Sequence, residues 1–252
     1  TMKLVEGARS IASDLARGPL EPRAAARLML KIARAAHYAH LHGVIHRDIK
    51  PANILVDTSG EPQLADFGLA KLQETTISLT QADHVIGTPQ YMSPEQVRGQ
   101  SRELTPATDV YSLGAVFYEM LTGHPPFRSD SIHEILRHIA EKEPRAPRQL
   151  NAAVDRDLQT VCLKCLEKLP ARRYSSANEF ADDLESWIEV RPITARPVTG
   201  VERLRKWGRR NPMVAGLAAA LLLLGLLATV IVIRGSHESG KRDRAILIQT
   251  LN

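Results

Sequence analysis

The sequence predicts a mainly α fold: a helical lobe carrying one small β-hairpin, followed by a single membrane-spanning helix. Three observations lead there. Apolar residues recur at helical spacing in six separated segments. Strand-like runs are few and fall almost entirely before residue 66. Val214–Ile233, "VAGLAAALLLLGLLATVIVI", runs 20 residues without a charge, enough to cross a bilayer as one helix.

The elements follow in order. "TMKLVEG" reads as the end of a strand, and Arg9–Ala16 as a short helix. A longer helix runs from Pro22 to Leu41, with Pro in its first turn and Gly43 closing it. Its small and apolar face is Ala26, Leu30, Ala33 and His37. Ile54–Val56 and Gln63–Ala65 flank the turn-rich "DTSGEP" and form the hairpin. From Thr105 to Leu121, Val110, Leu113, Val116, Phe117 and Met120 predict a mostly buried helix ending at Gly123. Further helices are expected at Ser131–Ala140, Asp155–Glu167 and Ser176–Ile188, joined by Pro- and Arg-rich segments.

Charge argues against a nucleic-acid partner. The net +5 resides in the tail: residues 191–252 hold 11 Lys+Arg against 3 Asp+Glu, leaving residues 1–190 at −3. Cys162 and Cys165 form a C-x-x-C, yet no second pair completes a four-ligand metal site, so they read as buried, reduced thiols of a cytosolic domain. The apolar run begins too late for a signal peptide. Ahead of it, "RLRKWGRRNP" brings five basic residues and Trp207, a bias that places residues 1–212 on the cytoplasmic side. The expected organisation is a catalytic domain at 1–190, a basic linker at 191–212, a transmembrane helix at 213–233 and an extracytoplasmic start at 234–252.

Polar groups beside buried structure are costly unless each has a partner or a task. Three such strings stand out: "HRDIKPAN" at 46–53, "DFG" at 66–68 and "GTPQYMSPE" at 87–95. Their order and spacing resemble the C-terminal lobe of eukaryotic-like Ser/Thr protein kinases, in particular the membrane-anchored bacterial receptor type. The last string carries Ser93-Pro94-Glu95 where the family more often begins with Ala.

The resemblance implies transfer of the ATP γ-phosphate to Ser or Thr hydroxyls of protein substrates, with Mg2+ as metal. Asp48 would orient the hydroxyl and accept its proton, and Lys50 would offset charge on the transferring phosphate. Asn53 and Asp66 would hold magnesium, a hard cation that prefers oxygen ligands. Thr88 matches the family residue that bonds the catalytic Asp and Lys, and with Lys50 it favours Ser/Thr over Tyr. Met2 falls at the gatekeeper position and Lys3 to Val5 at the hinge facing adenine.

His46, Phe67 and Gly68 would serve packing. Arg47 would receive an activation-loop phosphate carried by Thr75, Thr76, Ser78 or Thr80. Asp109 would tether the catalytic-loop backbone, with Tyr111 where Trp is frequent, and Arg173 would pair with Glu95. Reading the histidines of "HYAHLHGVIH" as metal ligands is disfavoured, because magnesium avoids imidazole.

No Gly-rich phosphate loop, strand Lys or helix Glu precedes these motifs, so the N-terminal lobe is expected to be absent and this polypeptide alone to lack appreciable activity. A dimer for trans-phosphorylation would accord with the resemblance. Two rival readings remain. A membrane-tethered pseudokinase acting as a binding scaffold would differ in the upstream Lys. A small-molecule phosphotransferase of related fold should lack "GTPQYMSPE".

Overall fold

The helix Pro106–Thr122 is apolar around nearly its whole circumference, and such a helix is stable only when other elements wrap it. The structure, a computed structural model, describes residues 7–67, 89–99 and 104–195. The chain divides into two units, Thr1–Pro197 and Val198–Asn252, and every described residue belongs to the first. In chain order the elements are β1 (Arg9–Ser10), α1 (Ile11–Leu15), α2 (Pro22–Leu41), β2 (Ile54–Val56), β3 (Pro62–Leu64), α3 (Pro94–Val97), α4 (Pro106–Thr122), α5 (Ile132–Glu141), α6 (Arg156–Cys165) and α7 (Ala177–Ile188).

Helix α4 is the hub. Val110, Leu113, Val116, Phe117, Met120 and Leu121 are fully buried, against α2 on one side and α6 and α7 on others. Gly123 ends it in the left-handed conformation, φ +76°, with its N–H bonded to Glu119 O at 2.7 Å. At Gly114 a Cβ would come within 2.3 Å of Cys165 Cβ, so glycine is what lets α6 approach α4 this closely. Both cysteines are free and buried there, and burial raises both thiols far above their ordinary value. They are packing groups, as the sequence suggests.

Helix α2 starts where Pro22 predicts. The Glu21 side chain caps it by accepting from the Arg23 and Ala24 amides. Its buried face is Ala25, Ala26, Met29, Ile32, Ala33 and Ala36. Leu30 and His37, assigned to that face from sequence, are only half-buried, because the contact stripe against α7 and α4 is centred a residue earlier. The expected helices near 131, 155 and 176 are present, with Ser131, Asp155 and Ser176 standing as N-caps just outside them.

Three expectations are corrected. The segment 9–16 is not helical throughout: Arg9 and Ser10 pair antiparallel with Val56 and Leu55, so the hairpin is a three-stranded sheet, β1-β2-β3. This pairing spans some fifty residues of chain and leaves no local periodicity. The second strand is Pro62–Leu64, one residue earlier than expected, because Ile54 pairs with Leu64. The fold class is a helical lobe with a small sheet, not one followed by a spanning helix: among the described residues no helix is long and apolar enough to cross a membrane. The segment 213–233 lies outside the described residues. Hydropathy measures length and lack of charge, and does not place a segment in a fold.

Candidate active site

The site is assembled on the chain between α2 and β2, a run with little regular structure of its own. Its shape is imposed by Asp109, fully buried in the first turn of α4. Asp109 Oδ1 accepts the Arg47 amide at 2.9 Å, and Oδ2 accepts the His46 amide at 2.8 Å. Oδ2 also meets His40 Nε2 at 2.8 Å. One carboxylate thus satisfies two otherwise orphaned backbone donors at the head of the loop.

That grip holds Arg47 at φ +66°, a left-handed conformation that costs a non-glycine residue about 1–2 kcal/mol. A second anchor offsets the cost, since Gln96 Nε2 donates to Arg47 O at 2.8 Å. Gln96 is itself fixed by a capping box with Ser93 at the start of α3.

The polar side chains then converge. Lys50 Nζ donates to Asp48 Oδ2 at 2.8 Å. Asn53 Nδ2 donates to Asp48 O at 2.8 Å and to Asp48 Oδ2 at 3.2 Å. Asp48 is half-buried, open enough to meet a substrate and closed enough to be held. Pro51–Asn53 form a single 3-10 turn whose last carbonyl, Asn53 O, accepts the Ala65 amide at 2.8 Å. Asp66 follows directly, exposed and at φ +56°, the second strained non-glycine residue of the site.

His46 links the two halves. Its Nδ1 accepts the Asp48 amide at 3.3 Å while Nε2 faces Ala65 O at 2.9 Å, a pattern that assigns the neutral tautomer protonated on Nε2. Its ring packs on Phe67 with centroids 4.7 Å apart. Asp48, Lys50, Asn53 and Asp66 therefore sit on one continuous scaffold of hydrogen bonds.

The supporting pair is equally well formed. Arg173 Nη1 and Nη2 donate to Glu95 Oε1 and Oε2 at 2.7 and 2.8 Å, a bidentate fork with side-chain exposures of 0% and 4%. Arg173 also donates to the carbonyls of Ala107, Glu167 and Lys168, and Thr108 Oγ1 donates to Glu95 Oε1 at 3.0 Å. Burial pushes the Glu95 carboxyl up, but the guanidinium bonds and charge outweigh it and leave the group below its ordinary value. The Arg173 guanidinium lies 5.0 Å from the Tyr111 ring centroid.

Three contributors escaped the sequence reading: Gln96, Thr108 and His40. For Gln96 a signal existed, because Ser93-Pro94-Glu95-Gln96 is a capping-box sequence that announces α3. Of the histidines in "HYAHLHGVIH", His42 Nδ1 meets Tyr38 O at 2.8 Å, while His40 and His46 hold the loop. Met2, Lys3, Val5, Gly68, Thr75, Thr76, Ser78, Thr80 and Thr88 lie outside the described residues.

A carboxylate steadied by a lysine and an amide, with a second acidic residue strained open beside them, defines a helical lobe suited to positioning phosphate and a hydroxyl. The chain belongs to the protein kinase family, whose protein kinase domain model matches residues 2–184.

Among its relatives, it is 44% identical over 188 residues to serine/threonine-protein kinase PknB of Mycolicibacterium smegmatis, covering 74% of this chain and 30% of that protein. It is 42% identical over 167 residues to PknB of Mycobacterium leprae, covering 66% and 26%. A probable serine/threonine-protein kinase of Streptomyces coelicolor is 36% identical over 182 residues, covering 72% and 27%. The chain spans less than a third of the length of these curated relatives.

Proposed function

We propose that this chain carries the lobe that receives and directs the γ-phosphate of ATP onto Ser or Thr hydroxyls of protein substrates. The observation that carries the reading is the convergence of Lys50 and Asn53 on the Asp48 carboxylate, 2.8 and 3.2 Å away. Kinship with proteins named as Ser/Thr kinases supports the acceptor class.

The residues do the following. Asp48 orients the acceptor hydroxyl and takes its proton as the oxygen attacks. Lys50, two residues on and already beside that carboxylate, counters negative charge on the phosphoryl group in flight. Asn53 spends its Nδ2 on Asp48, which leaves its Oδ1 as the atom it could offer a metal. Asp66 is exposed and held in position by the Asn53–Ala65 bond. An amide oxygen and a carboxylate suit magnesium, so Asn53 and Asp66 are the residues that would hold it. When bound, Mg2+ supplies neutralising charge to the nucleotide phosphates.

The test is phosphoryl transfer from ATP to a Ser-containing peptide by the full natural polypeptide and its Asp48→Asn variant. The variant keeps the shape and the Lys50 and Asn53 neighbours but cannot take a proton. Loss of kcat by about 10²–10⁴-fold with an unchanged melting temperature is expected. Equal rates for the two proteins would overturn the reading.

A further inference from the structure

The protein kinase domain model ends at residue 184, yet the folded lobe continues past it. Helix α7 closes in a full Schellman turn, with the Val190 amide donating to Trp187 O at 3.1 Å and the Arg191 amide to Ser186 O at 2.7 Å. That turn favours glycine where it has Val190, at φ +57°. A β-branched residue is strained there, and its side chain, 85% exposed, gains no packing in return. What holds the turn lies further on. The chain doubles back to α7, seats Ile193 and Ala195 against the core and closes on Asp183. Asp183 is 1% exposed and takes four donors. Its Oδ1 accepts the Thr194 amide at 2.6 Å and the Thr194 hydroxyl at 2.8 Å, and its Oδ2 accepts the Ala195 amide and the Tyr174 hydroxyl, each at 2.8 Å. No ion pair reaches Asp183 among the described residues.

Thr194 is the weak point of this latch, because it is exposed while its hydroxyl is one of the four donors. We infer that Thr194 is a phosphorylation site and that its phosphate unlatches the strap formed by residues 190–195. In the transfer, Thr194 Oγ1 attacks the γ-phosphorus of ATP, and the bond from that phosphorus to the β,γ-bridging oxygen breaks. ADP leaves with the electron pair, and the hydroxyl proton passes to a carboxylate base of the acting kinase. This site is separate from the Asp48 cluster, and any Ser/Thr kinase that uses ATP can serve it. The product has no hydroxyl proton to give Asp183, and it sets about −1.5 to −2 charge beside that buried carboxylate at pH 7. The cations near the latch are already engaged: Lys164 lies over the Tyr174 ring, 4.1 Å from its centroid, and Arg191 pairs with Glu189 at 2.5 Å. Repulsion therefore falls on the latched state, the strain at Val190 favours release, and the phosphate prevents reclosure. The freed residues can extend over about 20 Å, so the latch sets where the chain leaves the lobe.

Two measurements test this. Phosphopeptide mapping of the full natural polypeptide, isolated from the cells that make it, should find phosphate on Thr194, and its absence overturns the assignment. Hydrogen exchange then compares the full polypeptide carrying threonine or phosphothreonine at position 194, the latter installed during translation. The Ala195 amide should exchange about 10²-fold faster with phosphothreonine, whereas T194V, which loses only the hydroxyl bond, should gain about tenfold. The excess over T194V should shrink at high salt. V190G relieves the strain and should slow exchange at Ala195 about fivefold in the unmodified protein. Amides of α4 should keep their protection throughout, which distinguishes release of the strap from unfolding of the lobe. Equal exchange with threonine and phosphothreonine, or loss of α4 protection together with that of Ala195, overturns the inference.

Discussion

Replacing Arg173 with Ala should cost the fold about 3–5 kcal/mol, because it strands the Glu95 carboxylate in a site that water cannot reach. The pair is almost fully enclosed, at 0% and 4% side-chain exposure, so solvent screening offers little relief. The same change removes donors from the Ala107, Glu167 and Lys168 carbonyls, which places the expected loss toward the upper end.

Urea unfolding followed by circular dichroism measures it. With a slope of about 2–3 kcal/mol per molar, the midpoint should fall by about 1–2 M. The companion variant R173M/E95L removes both charges, and its loss should be clearly smaller than that of R173A, since replacing a buried pair by apolar groups is often neutral. The pair also sets a pH dependence. Glu95 is below its ordinary value of 4.5 when folded, so the unfolded chain takes the proton more readily. Stability from the pair is full above 4.5 and is lost as pH falls through the folded value. A cost for R173A under about 1 kcal/mol, or a double variant as damaged as the single, would refute the view that an uncompensated buried charge is what matters.

Gly114→Ala should destabilise by about 1–3 kcal/mol, read as a drop in urea midpoint, because its Cβ has no room beside Cys165. Tyr111→Phe should leave stability unchanged or slightly raised, since the buried hydroxyl has no hydrogen-bond partner among the described residues. Asp183 binds the Thr194 amide and hydroxyl, the Ala195 amide and the Tyr174 hydroxyl. Burial raises its carboxyl, yet these bonds together lower it below 3.8. Hydrogen exchange at Thr194 and Ala195 should therefore stay protected above that pH and lose protection as pH falls through the folded value, and D183A should lose protection at neutral pH.

Much of the site was legible in the sequence for a local reason. Asp48, Lys50 and Asn53 lie within six residues, so a short turn suffices to bring their side chains together, and the spacing itself carries the geometry. Helix limits were legible likewise, through Pro22, Gly123 and the caps Asp155 and Ser176, because capping satisfies backbone groups within one turn. The Glu95–Arg173 and Asp109 contacts join residues 78 and 63 apart and were reached only through resemblance to a family, not from periodicity.

What the sequence by itself determined was the inventory: which polar groups are present, which helices they precede, and which chemistry they suit. Tertiary structure alone decided that Arg9 and Ser10 extend the hairpin into a sheet, that Gln96 braces Arg47, that Gly114 admits Cys165, and that Arg17 and Arg128 share a cleft. The physical reason is common to all four. Each depends on chain segments far apart in sequence packing against one another, and neither hydrophobic period nor turn chemistry, which act over a few residues, encodes such a meeting.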